Sequence, residues 1–411
     1  MEDSKMKAEV DILLLQFKVK NYKSIGDEII LDMVAGSGNE HKNFLIEENG
    51  VNILPVASIY GANASGKSNI IDAIYSMFYN ITHSYMYGEK DAIRVTPFLY
   101  NPELRSKPTE FEIFFTFEGK EYQYGYTSTR DKIFGEWLYE RKFSKNDTVR
   151  HLIFERNNGN IKYRNIEKYI KLKEYNSLID DKMLVLSFLG NKDIESAKIF
   201  NDIFKWFRSF MVDKVRDGIL ADIDLWAEFY LDENIKVNFI KFINEFDSSL
   251  KDLVIKEELN KDGQIEYGVF TIHEGEKYPI DIESDGTKKL FCYYTILFLY
   301  FNNFRGIFFI DELDSQLHPL ILRKIVNMFH DKEINKMGSQ LIFSSHNLIV
   351  LDNRELRRDE IWFTEKNEKG FTELFSLAEF KANEKEIRAD MNYGKNYLAG
   401  RFGAIPYLNS N

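Results

Sequence analysis

Hydrophobic and polar residues alternate in several segments of the first part of the chain. In residues 12–20 every second side chain is apolar, and this period of two predicts a half-buried β-strand. Residues 29–33 can return as its antiparallel partner. From residue 110 to residue 164, similar segments rich in Phe and Tyr are separated by turn residues. We therefore predict an antiparallel meander that ends in a β-hairpin.

Other segments place their apolar residues at helical spacing. Residues 70–81 carry a stripe that would bury one helix face against a sheet, and from residue 165 to about residue 258 the pattern is mainly helical. No heptad persists there, so we predict a compact helical insertion and not a coiled-coil arm. Three short apolar runs, at residues 53–60, 306–310 and 340–343, predict buried strands of a central sheet. Together these patterns indicate an α/β fold.

The charge balance argues against a protein that coats nucleic acid with its whole surface. The chain has 411 residues, with 54 Lys and Arg against 65 Asp and Glu, and its net charge is −11. Residues 130–173 run against this trend, with 12 basic and 6 acidic residues. This local excess is either a surface that binds a phosphate backbone or an ordinary solvated face.

Cysteine usage and hydropathy point to the cytoplasm. The single cysteine, Cys292, excludes disulfides within the chain and thiolate zinc sites. The longest apolar run, residues 290–301, is about half of the roughly 20 residues that span a bilayer. Residues 1–10 lack the charged-then-apolar order of a signal peptide. We therefore expect a cytoplasmic protein with no membrane partner.

The segment Gly-Ala-Asn-Ala-Ser-Gly-Lys-Ser at residues 61–68 lies between a predicted strand and a predicted helix. Its glycines let the loop turn backbone N–H groups toward a phosphate chain, and the helix adds the positive end of its dipole. Lys67 would reach the β- and γ-phosphates, and the Ser68 hydroxyl would ligate magnesium. The sequence therefore predicts a site for ATP and Mg²⁺. The residues predicted to bind the nucleotide here are Gly61, Asn63, Ser65, Gly66, Lys67, Ser68 and Asn69.

A second anion-binding segment is predicted at the start of the apolar helix 290–301. Ser284 and Gly286 precede this helix, and a Ser and a Gly at a helix N-terminus can present hydroxyl and backbone donors to a phosphate. The same residues are also typical of an ordinary helix N-cap. The sequence leaves both interpretations open.

Two further segments end in polar residues that suit phosphoryl chemistry. Asp311 and Glu312 follow the apolar run 306–310, and ligands of α/β sheets bind at the carboxyl ends of such strands. Asp311 can hold the magnesium shell, and Glu312 can orient or deprotonate a water that attacks the γ-phosphate. His346 comes after the next buried strand and could contact the γ-phosphate.

The order of these motifs resembles the ABC-type ATPases: phosphate loop, Ser-x-Gly helix start, Asp-Glu strand, Asp314 loop and His346 strand. The Ser68-Asn69 pair and the Asn-Tyr-Lys-Ser segment at residues 21–24 are similar to the branch that contains SMC, RecF and OLD proteins. The runs that resemble AAA-type ATPases of the RloA/AbiL kind, which are bacterial anti-phage or abortive-infection components, are 59–69, 356–363 and 397–406. The resemblance covers residues 12–143 and 280–405, and the insertion matches only loosely.

This resemblance implies an ABC-type P-loop ATPase head that works as a head-to-tail dimer. Ser284 and Gly286 of one subunit would close over ATP bound to residues 61–68 of the other, and hydrolysis would release the two subunits. In ABC-type ATPases a glutamine usually senses magnesium, but no Gln lies between Ser68 and Glu121, and we expect residues 94–100 in that place. OLD proteins also carry a nuclease domain. Only 65 residues follow His346, so a nuclease would be a separate polypeptide.

We therefore predict three parts: residues 1–164, the N-terminal part of the ATPase head with the meander; residues 165–260, the helical insertion; and residues 261–411, the C-terminal part of the head. The leading functional hypothesis is an ATP-hydrolysing homodimer that senses or regulates a separate effector in anti-phage defence. A RecF- or SMC-like DNA-binding ATPase of repair or recombination is the alternative, with DNA bound at residues 130–173. The meander and the insertion argue against the nucleotide-binding subunit of a transporter.

Overall fold

The computed structural model describes residues 12–142, 149–208, 211–213, 223–259, 263, 265–379 and 391–406. The fold is α/β, as the sequence predicts. A mixed central sheet is joined to a large antiparallel sheet. Within the described residues, no helix is both long enough and apolar enough to cross a membrane.

The strands are numbered in chain order. They are β1 Ile12–Lys20, β2 Ile29–Asp32, β3 Ile46–Glu48, β4 Val51–Ile53, β5 Val56–Gly61, β6 Thr109–Phe117, β7 Lys120–Ser128, β8 Ile133–Lys142, β9 Val149–Asn157, β10 Asn160–Tyr163, β11 Met211–Asp213, β12 Leu250–Leu259, β13 Ile265–His273, β14 Glu276–Pro279, β15 Ile307–Ile310, β16 Gln340–Ser344, β17 Ile361–Lys366 and β18 Thr372–Ser376.

The α-helices connect and flank these strands. They are α1 Lys67–His83, α2 Pro102–Arg105, α3 Glu167–Ile170, α4 Val185–Gly190, α5 Lys198–Arg208, α6 Ile223–Ala227, α7 Glu233–Ile243, α8 Asp285–Asn302, α9 Pro319–His330 and α10 Tyr393–Leu398.

The central sheet has the strand order β11-β15-β16-β5-β17-β18. Its strands are parallel except for β18, which runs antiparallel to β17. Every residue of β5, β15 and β16 is buried, as expected for parallel strands covered on both faces. Because parallel strands end at one edge, the segments after β5, β15 and β16 meet there. Those segments carry the predicted phosphate loop, the Asp-Glu pair and His346.

The antiparallel sheet has the order β10-β9-β8-β7-β6-β1-β2, and every neighbouring pair is antiparallel. The predicted meander and the predicted pairing of residues 12–20 with residues 29–33 are both confirmed. Gln340 connects this sheet to the central sheet. Its buried amide accepts from the Leu14 backbone N–H at 2.8 Å and donates to the Leu54 carbonyl at 3.0 Å.

The central sheet separates two hydrophobic cores. One face, which includes Ile59 and Phe309, packs with α1, α5 and the antiparallel sheet. The opposite face, which includes Tyr60 and Phe308, packs with α7, α8 and α9. Adjacent residues of one strand enter different cores because side chains alternate across a strand. The sheet edge that carries the polar segments is therefore supported from both sides.

The segment predicted to be mainly helical, residues 165–258, contains two strands. β11 adds to the edge of the central sheet, and β12 pairs with β13 and β14 in a three-stranded antiparallel sheet. The charged residues in β12 obscured its alternation, and its strand conformation depends on pairing with β13. Helices α4 and α5 join the first core, whereas α6 and α7 join the second. The three-part division of the chain stays a prediction.

Candidate active site

The phosphate loop is a tight turn between β5 and α1 that other strands hold in place. Gly61 and Gly66 have φ angles of 155° and 117°, which favour glycine. A Cβ at Gly61 would overlap Thr364 of β17, and a Cβ at Gly66 would overlap Thr372 of β18. The Thr372 hydroxyl donates to the Ser65 carbonyl at 2.8 Å, and the Ser65 and Thr364 hydroxyls are 2.6 Å apart. The close approach of β17 and β18 therefore requires both glycines.

Helix α1 begins at the phosphate loop, and its N-cap residue is Gly66. Glycine has no side chain to bond the first N–H groups of the helix, which leaves them available to an anion. The helix is 17 residues long and carries the predicted apolar stripe in the first core. The helix terminus therefore has a fixed position relative to the sheet edge.

Lys67 is the first residue of α1 and is only 6% exposed. Its ammonium group donates to the Gly61 carbonyl at 2.9 Å and to the Ala62 carbonyl at 3.2 Å. Burial lowers the pKa of Lys67, and the carboxylates of Asp311, Glu312 and Asp314 act in the opposite direction. The Lys67 ammonium group therefore lies close enough to these carboxylates to be stabilised by their negative charge.

Ser68 and Asp311 lie close enough to bind one cation. The Ser68 hydroxyl donates to Asp311 Oδ1 at 3.1 Å. Neighbouring ligands in an octahedral Mg²⁺ shell are about 2.9 Å apart, so these two oxygens fit adjacent ligand positions. Among the described residues there is no group of three or more His, Cys, Asp and Glu side chains suited to a metal. Phosphate oxygens and water would therefore supply the remaining ligands.

Ser344 at the end of β16 holds the acidic pair in place. Its hydroxyl donates to Asp311 Oδ1 at 2.5 Å and accepts from the Glu312 backbone N–H at 2.8 Å. Glu312 has a φ angle of 50°, which an L-residue adopts at a cost of about 1–2 kcal/mol. No local pattern in the sequence predicted this positive φ angle or the role of Ser344. The left-handed Glu312 backbone is part of the turn that follows β15.

His346 lies just beyond β16 and is exposed. Its backbone N–H donates to the Asp314 carboxylate, with N–O distances of 3.3 Å and 3.4 Å. His346 and phosphate-loop residues 61–65 line one open groove of about 680 Å³. The structure therefore brings His346 to the edge that carries the phosphate loop and the Asp-Glu pair.

The Ser284 segment does not reach this groove within one chain. Ser284 is the N-cap of α8, and its hydroxyl accepts from the Thr287 backbone N–H at 3.1 Å. The N-cap interpretation is therefore observed, and anion binding stays a prediction. A Cβ at Gly286 would lie 2.8 Å from the Gln316 carbonyl oxygen, so this helix start packs tightly on the loop after Glu312. Neither Ser284 nor Gly286 is among the described residues that line the groove.

Comparison with known proteins identifies the family. A model of the family described as "AAA domain, putative AbiEii toxin, Type IV TA system" matches residues 56–352, which is most of the chain. The chain belongs to this AAA family. Its matched region runs from β5 beyond His346 and therefore includes every predicted site residue. No curated protein is significantly similar to the chain.

Solved SMC head structures are similar to this AAA-family chain, with low sequence identities and low TM-scores. The SMC head domain from Thermotoga maritima is 16% identical, covers 88% of this chain and 98% of its own, and has a TM-score of 0.41. The Smc head domain with an extended coiled coil, bound to the C-terminal domain of ScpA derived from Pyrococcus furiosus, is 14% identical. It covers 89% of this chain and 96% of its own, with a TM-score of 0.42. The family assignment does not depend on these similarities.

The segment at residues 21–24 supports the phosphate loop of this AAA-family chain from outside. The Asn69 amide donates to the Ser24 hydroxyl at 2.6 Å, and that hydroxyl lies 2.7 Å from the Thr372 hydroxyl. The Tyr22 hydroxyl donates to Asp72 of α1 at 2.5 Å. Asn69 therefore has a structural partner, and its predicted contact with nucleotide stays a prediction.

Residues 94–100, expected in place of the missing glutamine, pass next to the same segment. The Lys23 backbone N–H donates to the Thr96 carbonyl at 2.7 Å, and the Phe98 backbone N–H donates to the Asn21 side chain at 3.0 Å. Arg94 lies 3.7 Å from Asp72. These contacts link the segment to α1, and its magnesium-sensing role stays a prediction.

Two of the basic residues in the segment 130–173 make contacts within the chain. Arg156 is 2% exposed and donates to the Met183 and Asp180 carbonyls. Lys132 pairs with Asp181 at 3.1 Å. These cations support the loop before α4. DNA binding by this region stays a prediction.

The C-terminal segment is a site element that the sequence analysis did not place. The groove that residues 61–65 line is also lined by Tyr397, Leu398, Ile405 and Pro406. These residues belong to the 397–406 run that resembles the RloA/AbiL proteins. The hydrophobic pattern of this run did not predict that it lies at the groove. The phosphate loop and this run are more than 300 residues apart in sequence.

Proposed function

We propose that the chain is a Mg²⁺-dependent ATPase that works as a head-to-tail homodimer and controls a separate effector protein. The observation that carries this proposal is the separation of the two segments that are predicted to bind phosphate. Residues 61–65 line the groove, whereas Ser284 is exposed at the start of α8 and is not among the residues that line it. A second copy that supplied its own Ser284 would complete the site, since closed head-to-tail pairs use each surface twice.

Each site residue has a role that its position supports. Lys67 and the first N–H groups of α1 would neutralise the β- and γ-phosphates. Ser68 and Asp311 would hold Mg²⁺, which neutralises charge on the phosphate oxygens. Glu312 would orient the attacking water and accept its proton, and His346 would donate to the γ-phosphate oxygen. Ser344 would hold the Asp311 carboxylate and the Glu312 backbone in position through its two hydrogen bonds.

The cellular role that we propose is regulation of an effector, a nuclease, in bacterial anti-phage defence. The family description refers to a toxin of a toxin–antitoxin system, and the three sequence runs resemble RloA/AbiL proteins. ATP would hold the two copies together, and hydrolysis would release them, so the nucleotide state could control an attached protein. Affinity purification from the native cell, with and without ATP, tests this role. We expect a second chain to be retained in only one nucleotide state.

Mixing two inactive variants tests the composite site. Lys67→Ala removes the phosphate-loop cation. Ser284→Asp keeps a good N-cap for α8 but presents a carboxylate to the phosphate, so the fold should be retained. We expect each variant alone to hydrolyse ATP at less than about 5% of the wild-type rate. A mixed dimer contains one intact pair of half-sites, so the mixture should recover roughly a quarter of the wild-type rate. Failure to recover activity at any ratio would count against the proposal.

A further inference from the structure

A second groove lies where the outer edges of the two large sheets meet. β2 is the last strand of the antiparallel sheet, β18 is the last strand of the central sheet, and the two strands lie next to each other. The groove that they line has a volume of about 570 Å³, which is within the usual range of ligand sites. Edge strands present backbone N–H and C=O groups with which an extended chain can pair. The shape and position of this edge groove therefore suit an extended segment of polypeptide.

The edge groove has an acidic lining. None of the described residues that line it is a Lys, Arg or His. The carboxylates in its lining are those of Asp27, Glu28, Asp32, Glu373 and Glu379. Burial raises the pKa of the Asp32 carboxyl, so a cation in the groove would favour its ionised form. Charged side chains also protect edge strands from unwanted pairing, so the charge alone does not define a binding site.

A buried tryptophan at the edge groove provides an independent observation. Trp362 lies in β17, whose backbone pairs with β5 on one side and with β18 on the other. Trp362 therefore lines the groove with its side chain. It is 4% exposed, and its indole N–H has no acceptor among the described residues. Because an unpaired buried donor is unfavourable, an occupant that brings a carbonyl oxygen would stabilise this site.

These features distinguish between three kinds of cationic ligand. A metal ion needs several ligands at one point, and the described residues contain no group of three or more His, Cys, Asp and Glu side chains suited to a metal. A protonated polyamine carries positive charge but no acceptor for the indole N–H. A peptide with Lys or Arg side chains carries both positive charge and carbonyl acceptors, and its backbone can pair with a strand edge.

We propose that the edge groove binds an extended segment of a partner protein that carries Lys or Arg side chains, with a carbonyl of the segment accepting from the Trp362 indole N–H. The identity of this partner as the effector rests on the proposed function, whereas the binding itself does not. Thr372 lines the edge groove, and its hydroxyl also donates to the Ser65 carbonyl of the phosphate loop at 2.8 Å. The bound segment would therefore contact the strand that supports the phosphate loop.

A labelled peptide tests this binding in the absence of nucleotide. The probe is a fluorescein-labelled octapeptide of alternating Lys and Val, and its anisotropy is measured with the full chain. Combining Glu28→Gln with Glu373→Gln should weaken binding at least about tenfold, because both carboxylates lose their attraction to lysine.

The matched control neutralises two exposed carboxylates at the opposite end of the antiparallel sheet, in the segments before and beside β10's neighbouring turn. The control substitutions are Glu167→Gln and Glu174→Gln. We expect them to change the peptide affinity less than about twofold, because salt screens charges that lie far from the peptide. A second control probe with Ser in place of Lys should not bind to the unsubstituted chain.

The Trp362 indole N–H provides a local measurement of the same binding. In a ¹⁵N-labelled chain, its NMR signal is the indole signal that is missing from Trp362→Phe. The Lys-Val peptide should move this signal downfield, since its carbonyl accepts the hydrogen bond. Spermine should not move it downfield, because this polyamine has no acceptor to offer.

The other outcomes overturn the proposal. Failure of the Lys-Val peptide to bind, or equal weakening by the groove pair and the control pair, shows that the groove does not hold it. A bound peptide that leaves the Trp362 signal unmoved lies elsewhere. A downfield movement with spermine or Mg²⁺ alone makes this a cation site and not a peptide site.

Two further occupants are also distinguished. A signal that lies downfield without peptide, and loses that shift on dilution or on replacement of residues 380–390 with Gly and Ser, means that a second copy or the chain's own segment fills the groove. Either result overturns the proposal. Because no nucleotide is present in these measurements, failure of the proposed ATPase or of its dimer would leave their outcome unchanged.

Discussion

Replacing Lys67 with Ala is expected to reduce ATP affinity at least about 100-fold, a loss of roughly 3 kcal/mol or more. The ammonium group is buried in the loop, where no water-exposed cation can take its place. The reduced screening at a buried position makes its attraction to phosphate stronger than that of a surface lysine. Isothermal titration calorimetry with ATP and Mg²⁺ would measure the change.

The matched control for this substitution is Lys369→Ala. It makes the same change in net charge at an exposed position over the Phe371 ring. We expect less than a threefold effect on ATP affinity there. Equal losses for the two variants would show that overall charge, and not the geometry of the loop, controls binding. Retained affinity in Lys67→Ala would show that the loop does not hold the phosphates as described.

Replacing Arg357 with Ala is expected to lower the free energy of unfolding by about 3–5 kcal/mol, as is typical when one partner of a buried ion pair is removed. The Arg357 side chain is fully buried, and its guanidinium donates to both Asp359 oxygens, at 2.8 Å and 2.7 Å. It also donates to the Glu40 carbonyl. The substitution would leave the Asp359 carboxylate without its guanidinium and remove one bond between the Glu40 segment and the start of β17, where Arg358 still pairs with Glu40 at 2.9 Å. Urea denaturation followed by circular dichroism would measure the loss.

Arg354→Ala provides a close comparison. Arg354 makes the same two-bond contact with a carboxylate two residues away, Asp352, at 2.8 Å and 3.1 Å. Its side chain is 79% exposed, however, so its removal should cost less than about 1 kcal/mol. Similar losses for both arginines would mean that burial does not decide the effect.

The sequence predicted the parts of the site that depend on local spacing. Lys67 and Ser68 end a Gly-x-x-x-x-Gly-Lys-Ser segment that lies between an apolar run and a helical pattern, and Asp311 follows an apolar run. Such features need only neighbouring residues and the rule that parallel strands end at one edge. The meander was predicted for the same reason, since its alternation is local.

The rest depends on contacts between residues far apart in sequence. Ser344 positions Asp311, and Thr372 requires Gly66, yet neither hydroxyl is marked by any local pattern. β12 became a strand through pairing with β13, against its charged composition. Leu398 lies at the groove because the neighbouring Tyr397 ring stacks on Phe363 of β17. Tertiary contacts override local propensity at each of these positions.

The central claim is that two copies of the chain complete one ATP site, and the most direct test is the mass of Glu312→Gln with ATP. This variant should bind ATP and Mg²⁺ but not hydrolyse ATP, because the amide cannot accept the proton of water. Light scattering during size-exclusion chromatography should give 48.5 kDa without nucleotide and about 97 kDa, twice that mass, with ATP. A mass that stays at 48.5 kDa with ATP bound would contradict the account.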